Sequence, residues 1–252
     1  MESLSWSDDI VVLDSLSSDD TVKLAETSGA SVYQRAFDNF ASQRNYALDE
    51  IKFKHEWILH LDADEVVTPE LRDEIAQAVA NPDFSAWRIA SKLMFMGKWL
   101  RYSGMYPTYQ VRLGQRDQLR FIQEGHGQRE ALASNDLGTL QNPYIHYGFS
   151  KGMADWIEKH NRYSTDEALK GLEVQRKSGA PLKNLFATDR TQRRRALKQL
   201  AVRLPFRPML RFLYMYVLKL GFLDGRAGFY YCRLMANYEY WIVLKMRELR
   251  KI

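Results

Sequence analysis

Trp57-Ile58-Leu59-His60-Leu61-Asp62-Ala63-Asp64-Glu65 is the stretch whose reading decides the fold. An apolar run stops abruptly at three carboxylates within four positions. Short apolar runs that end in polar residues read as buried strands of a parallel sheet, and in open α/β sheets ligands sit beyond the carboxyl ends of such strands. Like charges this close repel, so the cluster needs a cation, protons or solvent to be tolerable. A divalent metal carrying phosphate oxygens satisfies it, because hard cations take carboxylate oxygens. The alternative is an exposed acidic loop ahead of a helix, since Thr68-Pro69-Glu70-Leu71 opens a helix well.

Outward from this stretch the pattern is that of an α/β domain. Asp9-Ile10-Val11-Val12-Leu13-Asp14 reads as a strand, and a polar turn then leads into a short helix from Thr21 through Glu26, with Asp19 and Asp20 as caps. Ala30–Tyr33 reads as a second strand, and a helix over about 37–48 precedes the strand at 57–61. Strand, helix, strand, helix, strand is the rhythm of a parallel sheet covered by helices. Beyond the acidic cluster, Pro69–Val79 is expected as a helix with Leu71, Ile75 and Val79 on one face. Further strands are expected at Ala86–Ala90, Tyr109–Leu113 and Tyr144–Tyr147. Gln123–Gln128, with Glu124 and His126 set among glycines, reads as a loop.

Composition places the chain among ordinary globular proteins, with room in 252 residues for one large domain or a domain with an appendage. The single cysteine, Cys232, excludes an internal disulfide and agrees with a reducing compartment. The opening residues are acidic and polar rather than basic then apolar, so no secretory signal is expected there. The net charge of +5 is unevenly spread: Lys183 to Arg211 holds nine Lys or Arg residues against one acid, Asp189. Such a block reads either as contact with something anionic or as a solvated basic face. From Ser150 onward the pattern turns helical, giving an expected division into 1–150 and 151–252. Two apolar, aromatic segments, Met209–Leu223 and Phe229–Leu244, are expected to be separated by Asp224–Gly228. Each is shorter than the ~20 apolar residues that spanning a bilayer requires. One reading lays them in a membrane interface with Arg203, Arg207 and Arg211 facing anionic headgroups; the other packs them as a helical hairpin.

Three separated pieces resemble one family. Ile10-Val11-Val12-Leu13-Asp14-Ser15, followed by Ser18-Asp19-Asp20-Thr21, resembles the second strand and turn of family 2 glycosyltransferases with the GT-A fold. Trp57 through Glu65 resembles that family's metal-binding carboxylate motif, and Gly221-Phe222-Leu223-Asp224-Gly225 is similar to the tail of the bacterial branch that builds lipopolysaccharide cores and exopolysaccharides. The resemblance implies an α/β GT-A catalytic domain, Rossmann-like with a mostly parallel sheet, and a C-terminal helical, amphipathic extension. It implies inverting transfer of a sugar from a nucleotide-sugar donor to a hydroxyl of a lipid-linked glycan acceptor, assisted by Mn²⁺ or Mg²⁺. In that scheme Asp14 and Asp62 bind the donor, and Asp62, Asp64 and His146 hold the metal. Glu124 is the expected general base, with His126 as the contender; where the branch usually has His-Glu, this chain has His126-Gly127. The expected location is the inner face of the cell membrane, with an anionic membrane surface as partner. The family opens with a strand and a short Asn/Glu-containing loop that hold the base, and this sequence starts after them, so a longer gene product is expected. A nucleic-acid binder using Arg190 to Arg211 is the weaker rival, because it gives Asp62, Asp64 and Glu65 no task. A catalytically inactive, membrane-attached scaffold with the same fold is the alternative that stays open.

Overall fold

The computed structural model describes residues 1–80, 83–124, 127–176, 193, 196–197 and 200–250. Two compact units make up the chain: Met1–Leu93 with Tyr106–Tyr147, and Met94–Met105 with Gly148–Ile252. The aromatic, glycine-rich insert at 94–105 therefore belongs with the helical part of the chain.

In the first unit, β1 (Val11–Asp14) and β2 (Ser31–Gln34) pair in parallel, with α1 (Thr21–Thr27) between them. The Asp19 carboxylate accepts the Thr21 N–H at 3.1 Å, the capping role its position suggests. The larger sheet runs β3 (Trp57–Leu59), β7 (Tyr109–Gln115), β5 (Ala86–Phe95), β11 (Tyr144–His146) and β4 (Glu65–Val66), with β10 (Leu137–Thr139) also on β5. β10 and β11 run parallel to β5, whereas β3–β7, β5–β7 and β4–β11 are antiparallel. The α/β domain and the helical C-terminal region are as expected, and the larger sheet combines parallel and antiparallel pairs. Apolar periodicity shows that a strand is buried on both faces but carries nothing about its partner's direction.

Helices α2 (Phe40–Glu50) and α3 (Pro69–Ala80) cover this sheet through two separate clusters. Asn39 caps α2 by accepting the Ser42 N–H at 2.8 Å, and Thr68 Oγ1 accepts the Leu71 N–H at the start of α3. Leu71, Ile75 and Ala78 of α3 are buried with Ile89, Leu113 and Tyr144. Ala41 and Leu48 of α2 pack with Ile58, Val111 and Phe121. Along β3, Ile58 joins the α2 cluster while Trp57 and Leu59 join the α3 cluster, the alternation of a strand covered on both faces. Gln123, Glu124, Gly127 and Gln128, expected in a loop, lie in strands: β8 (Phe121–Glu124) and β9 (Gly127–Glu130) pair antiparallel, Glu124 opposite Gly127, while Gly125 and His126 lie outside the described residues.

The second unit is helical, apart from the short β6 (Lys98–Trp99) paired with the end of β5. α4 (Gly152–Arg176) and α6 (Gly225–Leu249) bury Ala168, Leu172, Tyr238, Ile242 and Met246 between them. Between these helices lie α5 (Arg207–Leu213), a π-helical turn at Tyr214–Leu218 and a 3₁₀ turn at Gly221–Asp224. Asp224–Gly228 does not separate two segments as expected, because α6 starts at Gly225. A Cβ on Gly228 would meet the Gly221 carbonyl, and one on Gly221 would lie 2.6 Å from the Met215 carbonyl, so close backbone approach selects glycine at both. Asp224, buried at this corner, accepts the Ser103 N–H at 2.7 Å, the Ser103 hydroxyl at 2.6 Å and the Tyr102 N–H at 3.1 Å. Asp224→Ala strands those donors and is expected to cost roughly 3 kcal/mol or more, read as a lowered urea midpoint. An unchanged midpoint would show that the corner holds without its carboxylate.

The three arginines assigned to headgroups are used inside this unit. Arg207 pairs with Glu239 and lies 3.3 Å from Met246 Sδ, Arg203 donates to the Val174 carbonyl at 3.0 Å, and Arg211 Nε is buried. Their i, i+4 spacing was compatible with either face; Glu239 and the Val174 carbonyl draw Arg207 and Arg203 inward. Apart from Arg193, the rest of the basic block, Lys183, Arg190, Arg194, Arg195 and Lys198, lies outside the described residues. No described helix is long and apolar enough to cross a membrane.

Candidate active site

The chain turns sharply after β3, and two backbone-level contacts fix the turn. The Glu65 N–H donates to the Asp62 carbonyl at 3.0 Å, and the Asp62 N–H donates to Glu65 Oε2 at 3.0 Å. β11 then pairs with β4 so that His146 stands opposite Glu65, and the Tyr147 N–H donates to the Asp64 carbonyl at 2.8 Å. That register brings His146 Nε2 to 3.4 Å from Asp64 Oδ2, although the two lie 82 positions apart in the sequence.

The cations that relieve the carboxylate repulsion come from the chain itself. Arg112, in the middle of β7 and 1% exposed, donates from Nη2 to Asp62 Oδ2 at 2.9 Å and to Glu65 Oε1. Arg44, from α2, donates to Asp62 Oδ1 at 2.8 Å. Burial works to raise the Asp62 carboxyl, but Arg112 and Arg44 outweigh it and hold it at about 2. Burial instead prevails at Glu65 and pushes it up. For Arg112, burial opposes the charge while Asp62 and Glu65 more than restore it. Burial, with Arg44 and Arg112 nearby, drives His60 down to about 3, keeping it neutral. Burial also lowers His146, yet Asp64, Glu65 and Asp62 together carry it above its ordinary value.

These positions test the expected site residues. Asp64 and His146 come together; Asp62 lies in the same turn, but both its oxygens are taken by guanidiniums. Among the described residues no three His, Cys, Asp or Glu side chains form a group that could hold a metal. Asp64 and His146, both partly exposed, are a carboxylate and an imidazole suited to a divalent ion, so the pair fits one while the expected three-residue set is not assembled. Asp14, at the end of β1, is buried, and its Oδ2 accepts the Ser17 N–H and the Gln34 side-chain amide, each at 3.0 Å. Those bonds, the Ser17 one first, hold its carboxyl below the ordinary range. Glu124 sits on the β8–β9 hairpin with Arg129 3.5 Å away, and strand β8 is tied to α2 by Asn45, which bonds both backbone groups of Phe121. His126 lies outside the described residues. Sequence reasoning missed Arg44 and Arg112; the available signal was an arginine interrupting the apolar run Val111-Arg112-Leu113 in a molecule whose other buried strand ends in acids.

A family model described as Glycosyl transferase family 2 matches residues 6–131, half of the chain. A glycosyltransferase of Rickettsia typhi is 37% identical over 93 residues, which cover 36% of this chain and 31% of that protein. One of Rickettsia bellii is 28% identical over 174 residues, 64% of this chain and 58% of its own length. The chain thus spans less than two thirds of these curated relatives. A lipopolysaccharide core biosynthesis glycosyltransferase of Rhizobium meliloti, LpsC, is 26% identical over 187 residues, 69% of this chain and 66% of that protein. Among solved structures, Staphylococcus aureus TarS in complex with UDP-GlcNAc is similar at a TM-score of 0.41 and 15% identity, covering 95% of this chain and 86% of that one.

Proposed function

The chain belongs to glycosyl transferase family 2, and from that premise we propose that it moves a sugar from a nucleotide-sugar donor to a hydroxyl of a lipid-linked glycan, with inversion. Lipopolysaccharide core or a related envelope polysaccharide is the product class, as the role of the Rhizobium relative suggests. The inner face of the cell membrane is the proposed location. The observation that carries the reading is the Asp64–His146 pair beside the guanidiniums of Arg44 and Arg112 at the end of β3.

Each side chain has a task in that reaction. Asp14 hydrogen-bonds the nucleoside of the donor. Arg44 and Arg112 set positive charge where the leaving diphosphate gathers negative charge. Asp64 and His146 would hold Mn²⁺ or Mg²⁺, Asp62 of the same turn being engaged by the two arginines; when bound, the metal neutralises the leaving group further. Glu124 takes the proton of the acceptor hydroxyl as that oxygen bonds to the sugar carbon. The bond to the diphosphate breaks on the opposite face, its electron pair leaves with the phosphate, and the configuration inverts.

The engagement of Asp62 by two arginines gives the inactive scaffold its one favourable observation. Donor turnover separates the two readings. The transferase is expected to need a divalent ion, and Asp64→Asn is expected to lower turnover by about 10²-fold or more without moving the melting temperature. Turnover unaffected by chelator would end the metal-assisted mechanism. A well-folded protein with no turnover under any metal would leave the scaffold.

A further inference from the structure

The α5 segment of the helical unit is built inside out. Phe206, Leu210, Leu213 and Val217 recur at four-, three- and four-residue intervals, one face of a helix, and all four are exposed. Phe206 and Leu218 keep 75% and 73% of their surface, and Met209 56%. The same segment turns Met215 inward together with Arg207, which is bound to Glu239, and Arg211, whose Nε is buried. A helix against water does the opposite, with charge outward and apolar groups against the core. An apolar stripe this long on a soluble surface marks a contact with something apolar.

Charge identifies the occupant. Between Leu200 and Tyr238 the only acid is Asp224, which is buried, whereas Lys219, Arg226 and Arg233 are exposed. Over that span every exposed charge is cationic and there is no exposed carboxylate. A second copy would set those cations against themselves; an anionic bilayer supplies both an apolar interior and opposite charge.

We propose that the face carrying Phe206, Met209, Leu210, Leu213, Val217 and Leu218 inserts into an anionic phospholipid bilayer, with Lys219, Arg226 and Arg233 against the headgroups. The proposal deepens the transferase reading, since it gives a lipid-carried acceptor its meeting place, but it is tested without turnover. Insertion rather than charge is the main attachment, the reverse of what an outward arginine stripe would give.

The test is sedimentation of the full chain with vesicles of phosphatidylcholine alone and with a quarter phosphatidylglycerol. Binding is expected to be tighter on the anionic vesicles and to survive in part at ~1 M salt, where charges are screened beyond about 3 Å. Phe206→Ser/Leu218→Ser is expected to lower the high-salt binding at least tenfold with an unchanged melting temperature, because both side chains are exposed. Wild-type protein that stays in the supernatant, or a double variant that binds as wild type does, overturns the proposal. So does a vesicle-free dimer that the double variant dissociates, because a second copy then covers the face. Vesicle binding that is retained in a chain without donor turnover would overturn the transferase reading and leave this one standing.

Discussion

Glu124→Gln lowers sugar transfer by about 10²–10⁴-fold and leaves donor affinity nearly unchanged, the range expected when a positioned base is lost. Glutamine keeps the size and hydrogen-bonding capacity of the side chain but cannot take a proton from the acceptor hydroxyl. The substitution does not threaten the fold, since the Glu124 side chain is 49% exposed. Its ion pair with Arg129, at 3.5 Å between two half-exposed groups, is worth little on its own. Arg129→Ala is the control: it removes the pair and keeps the base, so its effect on transfer is expected to be small. Equal losses in both variants would mean that the pair, rather than the base, matters. A harmless Glu124→Gln beside a severe His126→Ala would exchange the two assignments.

The parts of this fold that were legible in the sequence are those written in local chemistry. β1, α1, β2 and α3 follow from β-branched runs, Asp19 and Thr68 at helix starts and the Leu71/Ile75 spacing, whereas α2 was legible as a helix but starts at Phe40, behind its Asn39 cap, rather than at 37. Strand partners were not legible, because β3 finds β7 more than fifty residues onward, and nothing in Trp57-Ile58-Leu59 specifies that direction. The site divides in the same way. Asp64 could be nominated from its neighbourhood and His146 from the family resemblance, yet their 3.4 Å approach exists only through the β4–β11 register. Asp62 looked like a metal ligand as long as Arg44 and Arg112 were absent from the picture. In the helical unit the arginine spacing fixed a helix face but not which way it turned, and Glu239 on α6 settled that for Arg207.

Arg112→Met is expected to lower stability by about 3–5 kcal/mol, the cost of leaving a buried carboxylate without its cation. Glu65 has 1% of its side chain exposed and takes its ion pair from Arg112, so it cannot turn to water instead. Asp62 is less affected, being nearly half exposed and still held by Arg44. Arg112 Nε and Nη1 have no acceptor among the described residues, and their burial costs something in the native protein, which favours the lower end of the range. The guanidinium also lies 5.5 Å from the centre of the Tyr144 ring, a contact that methionine replaces in part. Arg112→Lys is expected to recover only part of the loss, because Nη2 reaches both carboxylates and a lysine side chain ends about one bond short of that atom. The decisive measurement is a double-mutant cycle in urea. If the penalty is the stranded charge of Glu65, adding Glu65→Gln to Arg112→Met should return most of the stability, giving a coupling of a few kcal/mol. Additive losses would locate the cost in packing around β7, and the strand arginine would then be a space-filler rather than the counter-charge of the β3 turn.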